Sequence, residues 1–169
     1  NVIEPIGSIY ENHFNKPLGS RVPKCKKLVN FVCYCLNSNH YHFILEQLVD
    51  KGIETLMHKI GTGYTKYFNE KYDRSGSLFQ GTYKAVHISS NKQLLHLSAY
   101  VNLNNKVHKL RSLASKSSWG EYVGEDESNF CSKDVILGQF DSLKDYKKTA
   151  EDSLVWIREN KGMDKFLLN

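Results

Sequence analysis

Hydrophobic and polar positions follow two different periods along the chain, and each period predicts its own kind of element. From Leu28 to Leu36 the run Leu-Val-Asn-Phe-Val-Cys-Tyr-Cys-Leu is rich in β-branched and aromatic residues, which suit a pleated surface and predict a strand. Asn37-Ser38-Asn39 is turn chemistry, and His40-Tyr41-His42-Phe43-Ile44-Leu45 resumes the strand pattern, so the two runs read as a hairpin. Beyond Asp50, a candidate N-cap, apolar residues fall at Ile53, Leu56, Met57, Ile60, Tyr64 and Tyr67 or Phe68. That is the spacing of one helix face, carried to about Tyr72. Gly61 and Gly63 interrupt this helix, as they would where another backbone or a ligand comes close.

Asp73-Arg74-Ser75-Gly76 predicts a turn, and Tyr83 to Ile88 a further strand. Ser90-Asn91-Lys92-Gln93 reads as a capping box that opens a second helix containing Leu94, Leu97 and Val101 and ending near Asn104-Asn105. After a polar stretch at 111–134, an amphipathic helix from about Ser142 to Asn160 places Leu143, Tyr146, Ala150, Leu154 and Ile157 on one face. Pro5, Gly7, Pro17, Gly19 and Pro23 punctuate the beginning. The expected organisation is an irregular segment over 1–27, a core over 28–110 and a C-terminal extension over 111–169.

Composition narrows the class. With 169 residues, 40% of them hydrophobic and 24% charged, the chain has enough apolar surface for one real core and is not a disordered or collagen-like polymer. No run of about 18 apolar residues occurs, and Asn1 to Tyr10 lacks a signal-peptide pattern. Cys25, Cys33, Cys35 and Cys131 form no dense disulfide framework, so a reducing, cytoplasmic setting is expected. Cys33 and Cys35 share a strand face and read as small core residues. The 23 Lys and Arg against 18 Asp and Glu give a net charge of +5, which permits an anionic partner without specifying one.

Two patterns carry candidate chemistry. Strand side chains alternate faces, so His40 and His42 point the same way and two imidazoles can reach one cation, although surface histidines produce the same triplet. Tyr100 and Asn104, four residues apart, share a helix face and supply a potential nucleophile and an oxygen ligand one turn away. A packed tyrosine with an asparagine near a helix C-terminus gives that pattern too.

Taken together, Asn39-His40-Tyr41-His42-Phe43-Ile44-Leu45, the segment from Arg74 to Ala85, and Tyr100-Val101-Asn102-Leu103-Asn104 resemble the single-tyrosine HUH transposases, in particular the REP-associated branch. The resemblance covers about residues 28–122 and includes Ser118-Trp119-Gly120-Glu121-Tyr122. It implies an α+β, ferredoxin-like sandwich whose antiparallel sheet holds the two histidines while a helix brings up the tyrosine. It further implies that His40, His42 and Asn104 ligate a divalent metal, Mg²⁺ or Mn²⁺. Tyr100 would then attack a phosphodiester of single-stranded or hairpin DNA and form a 5′-phosphotyrosine bond. A homodimer, with the tyrosine acting in cis or in trans, is compatible with this resemblance. Family members usually carry a strand ahead of the hairpin, and no such strand is read before Leu28, which leaves two alternatives, that residues 1–12 fill its place or that the natural N-terminal strand is missing from this sequence. They also commonly have Asn-Pro where this chain has Asn104-Asn105.

For DNA contact, Lys66, Lys71, Arg74 and Lys84 interleave with Tyr64, Tyr67, Tyr72, Phe79 and Tyr83. Cations tracking phosphates and rings stacking on unpaired bases are what single strands require; the plainer expectation is that most of these rings are core. Two alternatives keep parts of the same machinery: a DNA-binding regulator that no longer cuts, and a metal-dependent hydrolase that uses water and forms no covalent intermediate.

Overall fold

The hairpin forms the centre of the sheet. β1 (Val29–Leu36) and β2 (Tyr41–Gln47) are antiparallel, and the Asn37 N–H donates to the His40 carbonyl at 2.8 Å to close the turn between them. This computed structural model describes residues 26–107 and 115–159. The irregular N-terminal segment, apart from Lys26 and Lys27, and any strand supplied by residues 1–12 lie outside the described residues.

Phe31 pairs with Leu45 and Cys33 with Ile44, which leaves Val32 as the extra residue of a β-bulge. The bulge lets Val32 and Cys33 both be buried, although they are adjacent in sequence. β3 (Lys116–Ser117) pairs antiparallel with the other edge of β1, so the sheet order is β2-β1-β3. Ser118 prolongs this pairing: its N–H donates to the Tyr34 carbonyl at 3.0 Å and its Oγ accepts from the Tyr34 N–H at 2.9 Å.

α1 (Gly52–Lys71) follows the hairpin. Asp50 does not cap it; the N-cap is Lys51, in the left-handed region at φ 52°, with no side-chain cap. Gly52 is required at the first helical position, because a Cβ there would lie 2.4 Å from the Leu28 carbonyl oxygen at the foot of β1. Gly61 and Gly63 do the opposite of what was expected. The helix runs through both, and a Cβ on either would meet nothing within 4 Å.

Tyr83 to Ile88 is not a strand. Its side chains have strand character, yet no edge among the described residues pairs with it, and β propensity without a ladder does not make a sheet. Tyr83 and Val86 are exposed, and only Ile88 packs against the core.

α2 (Asn91–Asn102) begins as expected, with Ser90 Oγ accepting the Gln93 N–H at 3.2 Å. The return bond from Gln93 Oε1 goes to the N–H of Ser89, at 3.0 Å, one residue earlier than in the usual box. A short α3 (Asn104–Val107) follows, and beyond β3 come α4 (Trp119–Val123), α5 (Asp134–Leu137) and α6 (Leu143–Glu159). Tyr146, Ala150, Leu154 and Ile157 of α6 are buried, but Leu143 is exposed and does not belong to that face. The stretch expected to be merely polar contributes Tyr122, Cys131 and Glu121 to the buried set.

The core lies on one face of the sheet, where Cys33, Cys35 and Ile44 meet Leu97, Tyr100, Val101 and Leu103, with Tyr122 and the buried side of α6 behind them. The protein is therefore an α+β fold, an antiparallel sheet with helices packed on it. The other face carries a line of rings: Phe31 and Phe43 meet at 5.3 Å between centroids, Tyr41 stacks on Phe43 at 4.8 Å, and Phe130 lies against both Phe31 and Tyr34. Among the described residues no helix is long and apolar enough to cross a membrane.

Candidate active site at the hairpin turn

His42 pairs with Cys35 across the hairpin, and that register puts it on the core face of the sheet, the face that α2 covers. Its ring lies 5.6 Å from the ring of Tyr100, inclined at 72°. His40 sits in the turn, just before β2, and is exposed; its ring is nonetheless 5.1 Å from that of His42. Tyr100 is 6% exposed and Asn104 fully buried. The expected quartet of His40, His42, Tyr100 and Asn104 therefore gathers at one end of the hairpin.

Asn37 makes the link, and the sequence had shown it only as a turn residue. Its Nδ2 donates to Asn104 Oδ1 at 2.9 Å and lies 2.9 Å from His40 Nε2. His40 Nδ1 lies 2.7 Å from Asn39 Oδ1. An amide oxygen can only accept, so the His40 proton belongs on Nδ1, and Nε2 is left with a lone pair for Asn37. The far end of Asn37 is held too, since Oδ1 accepts from Ser115 Oγ at 2.8 Å and from the Cys35 thiol at 3.6 Å. Burial raises the Cys35 pKa above its ordinary value, so the thiol keeps its proton and stays a donor.

These groups suit a divalent cation: an imidazole whose Nε2 faces Asn37, a second imidazole beside it and an amide oxygen. Asn104 Nδ2 is an N–H donor buried without a hydrogen-bond partner, so an acceptor such as a phosphate oxygen, and not the cation itself, would offset its cost. Among the described residues no group of three or more His, Cys, Asp and Glu comes together, so any cation held here would depend on amide oxygen as well as imidazole.

A second network fixes the tyrosine helix from behind. Asn102, fully buried, donates through Nδ2 to the Tyr146 hydroxyl at 2.8 Å, and its Oδ1 accepts from Ser118 Oγ at 2.5 Å. The Tyr122 hydroxyl donates to the Val32 carbonyl at 2.7 Å and accepts from the Cys33 thiol at 3.3 Å. α2, α4 and α6 are thus bonded to one another or to β1 through side chains that hydropathy alone reads as polar. Burial pushes Cys33 up to about 12 and raises Tyr122 and Tyr146 as well.

Residues 21–104 match the family described as Transposase IS200 like. The chain belongs to the IS200-like transposases. The matched segment contains both histidines and ends at Asn104, so it encloses all four residues gathered at the turn. Membership makes DNA the partner of this transposase and DNA transposition its class of activity. No curated protein and no solved structure matches the chain.

The four cations expected at DNA lie along α1 and the loop after it. Lys71 Nζ donates to the Tyr67 hydroxyl at 3.1 Å and lies 5.7 Å from the Tyr72 ring centroid; the Tyr67 bond is the main reason its pKa is raised. Arg74 lies over the Phe68 ring at 5.6 Å and bonds to the Ser77 carbonyl. Lys66 and Lys84 are exposed. The rings among them are not core, as the plainer expectation had it. Tyr64, Tyr72 and Tyr83 are exposed, and Tyr64 touches Tyr67, Phe68 and Phe79 in one surface cluster.

Proposed function

We propose that this transposase cleaves and rejoins single-stranded DNA through Tyr100, with a divalent cation held by His40, His42 and Asn104. The observation that carries the reading is that the four residues form one connected group at the hairpin turn: Asn37 bonds to both His40 and Asn104, the His40 ring neighbours that of His42, and the His42 ring neighbours that of Tyr100. A bound Mg²⁺ or Mn²⁺ would polarise the scissile phosphate and stabilise the charge that builds on its oxygens.

The chain's own residues do the rest. His42, packed against the Tyr100 ring, places the tyrosine next to the ligand set. Tyr100 attacks phosphorus through its hydroxyl oxygen: the new bond is the phosphotyrosine ester, the bond broken is to the 3′ oxygen of the upstream strand, and that oxygen leaves and takes a proton. Because one ester replaces another, a 3′-hydroxyl can reverse the step on a different strand without ATP. Lys71 and Arg74, held against rings of α1, are suited to track phosphates, while exposed Tyr64 and Tyr72 offer faces to unpaired bases. Lys66 and Lys84 would extend the same cationic track.

The test mixes the protein with hairpin-forming single strands from the flanks of its gene, labelled at the 3′ end, in Mn²⁺ or Mg²⁺. Label that travels with the protein on a denaturing gel, and vanishes with chelator, is the expected result. Cut DNA with no label on protein supports a hydrolase that uses water; binding without cutting supports a regulator.

A further inference from the structure

The Asn37 carboxamide lies between two of the three proposed ligands, His40 and Asn104. Its Nδ2 lies 2.9 Å from both His40 Nε2 and Asn104 Oδ1, the two lone pairs a cation would need at about 2.0–2.2 Å. An N–H donor between two acceptors does electrostatically what a cation does there, and the two cannot share the place. We propose that Asn37 is a latch on the cation site, a side chain that must withdraw before a divalent metal loads. This rests on the ligand set proposed above and adds a residue that opposes it.

The opposite role, Asn37 as a further ligand, meets an obstacle in its surroundings. Presenting its oxygen would require turning the amide over. Oδ1 would then give up the hydroxyl of Ser115 and the thiol of Cys35, and would face the lone pairs of Asn104 Oδ1 and His40 Nε2. Ser115 and Cys35 therefore orient Asn37 as a donor towards the site, and a donor competes with metal. Loading must break two hydrogen bonds, which raises the cation concentration at which the site fills.

Mn²⁺ binding, read by electron paramagnetic resonance of the free ion and by calorimetry, tests this without any turnover. Asn37→Ala should bind Mn²⁺ about 10-fold or more tightly than the natural chain, by the loss of two competing hydrogen bonds. Ser115→Ala, which frees the far end of the amide, should shift binding in the same direction by less. In the unaltered ¹⁵N-labelled protein, Zn²⁺ should move the Asn37 side-chain amide resonances out of their hydrogen-bonded position, a readout that survives any folding defect in the variants. Unchanged or weaker binding in a folded Asn37→Ala, or Asn37 resonances untouched by saturating Zn²⁺, overturns the latch. His42→Ala separates the two levels: binding that needs His42 but not the withdrawal of Asn37 removes the latch alone. Binding indifferent to His42 removes the ligand set and the latch with it.

Discussion

Asn102 is two residues from Tyr100 and fully buried, and it joins three elements by satisfying the hydroxyls of Tyr146 and Ser118. Asn102→Ala leaves both hydroxyls short of a partner in the core and is expected to destabilise the fold by about 2–4 kcal/mol, measured by urea unfolding. Its neighbour Asn104 serves the candidate site instead, through the bond to Asn37. From sequence, a four-residue spacing singled out Tyr100 and Asn104, and alternation with Tyr41 singled out His40 and His42. In the structure α2 ends at Asn102 and Asn104 opens α3, and His40 lies in the turn, so the four meet through the turn and not through one helix face or one strand. Asn37, Ser115 and Ser118 were not legible in the sequence. Their roles depend on contacts across 67, 78 and 84 positions of chain, and a short polar residue in a turn carries no periodic signal that would announce them.

The hairpin and the long helices that follow it were legible because their patterns are regular over many residues. What periodicity could not supply was partners. Tyr83 to Ile88 has the composition of a strand and pairs with nothing described, whereas Lys116–Ser117, within a stretch that looks like loop, completes the sheet by pairing with Cys35 and Leu36. Helix starts follow the same lesson. Asp50 has cap chemistry, but the chain turns through Lys51 in the left-handed region so that Gly52 can pass close beneath Leu28. Gly52→Ala must push a backbone carbonyl aside and should cost about 1–3 kcal/mol in thermal or urea unfolding. Gly61→Ala, in open space on the same helix, should instead be neutral or stabilising by up to about 1 kcal/mol.

The whole molecule is closed by a core that mixes thiols and phenols with aliphatic side chains, and this gives its stability a direction in pH. Burial pushes the Cys33 and Cys131 thiols from 9.0 up to about 12, and raises the Tyr122 and Tyr146 hydroxyls in the same sense. A folded-state pKa above the unfolded one means that the native state holds its protons more tightly. The stabilisation is complete below about pH 9 and is lost as pH rises from there towards 12. Urea midpoints should therefore be level near neutrality and fall steeply above about pH 9, with a shallower fall in Cys33→Ala. The family match over residues 21–104 ends before β3, α4 and α6, yet the bonds from Ser118, Tyr122 and Tyr146 fasten those later elements to β1 and α2. The C-terminal part thereby bears on where the tyrosine helix sits.

Peptide mapping of the adduct decides whether Tyr100 forms the covalent bond to DNA. Protein incubated with labelled single-stranded DNA and Mn²⁺ is digested with trypsin and nuclease, and the modified peptide is sequenced by mass spectrometry. Cleavage after Lys92 and Lys106 releases residues 93–106, in which Tyr100 is the one tyrosine. A nucleotide phosphate on Tyr100 in that peptide, and no adduct in Tyr100→Phe, is the expected result. A nucleotide on any other residue, or an adduct that persists in Tyr100→Phe, would contradict it.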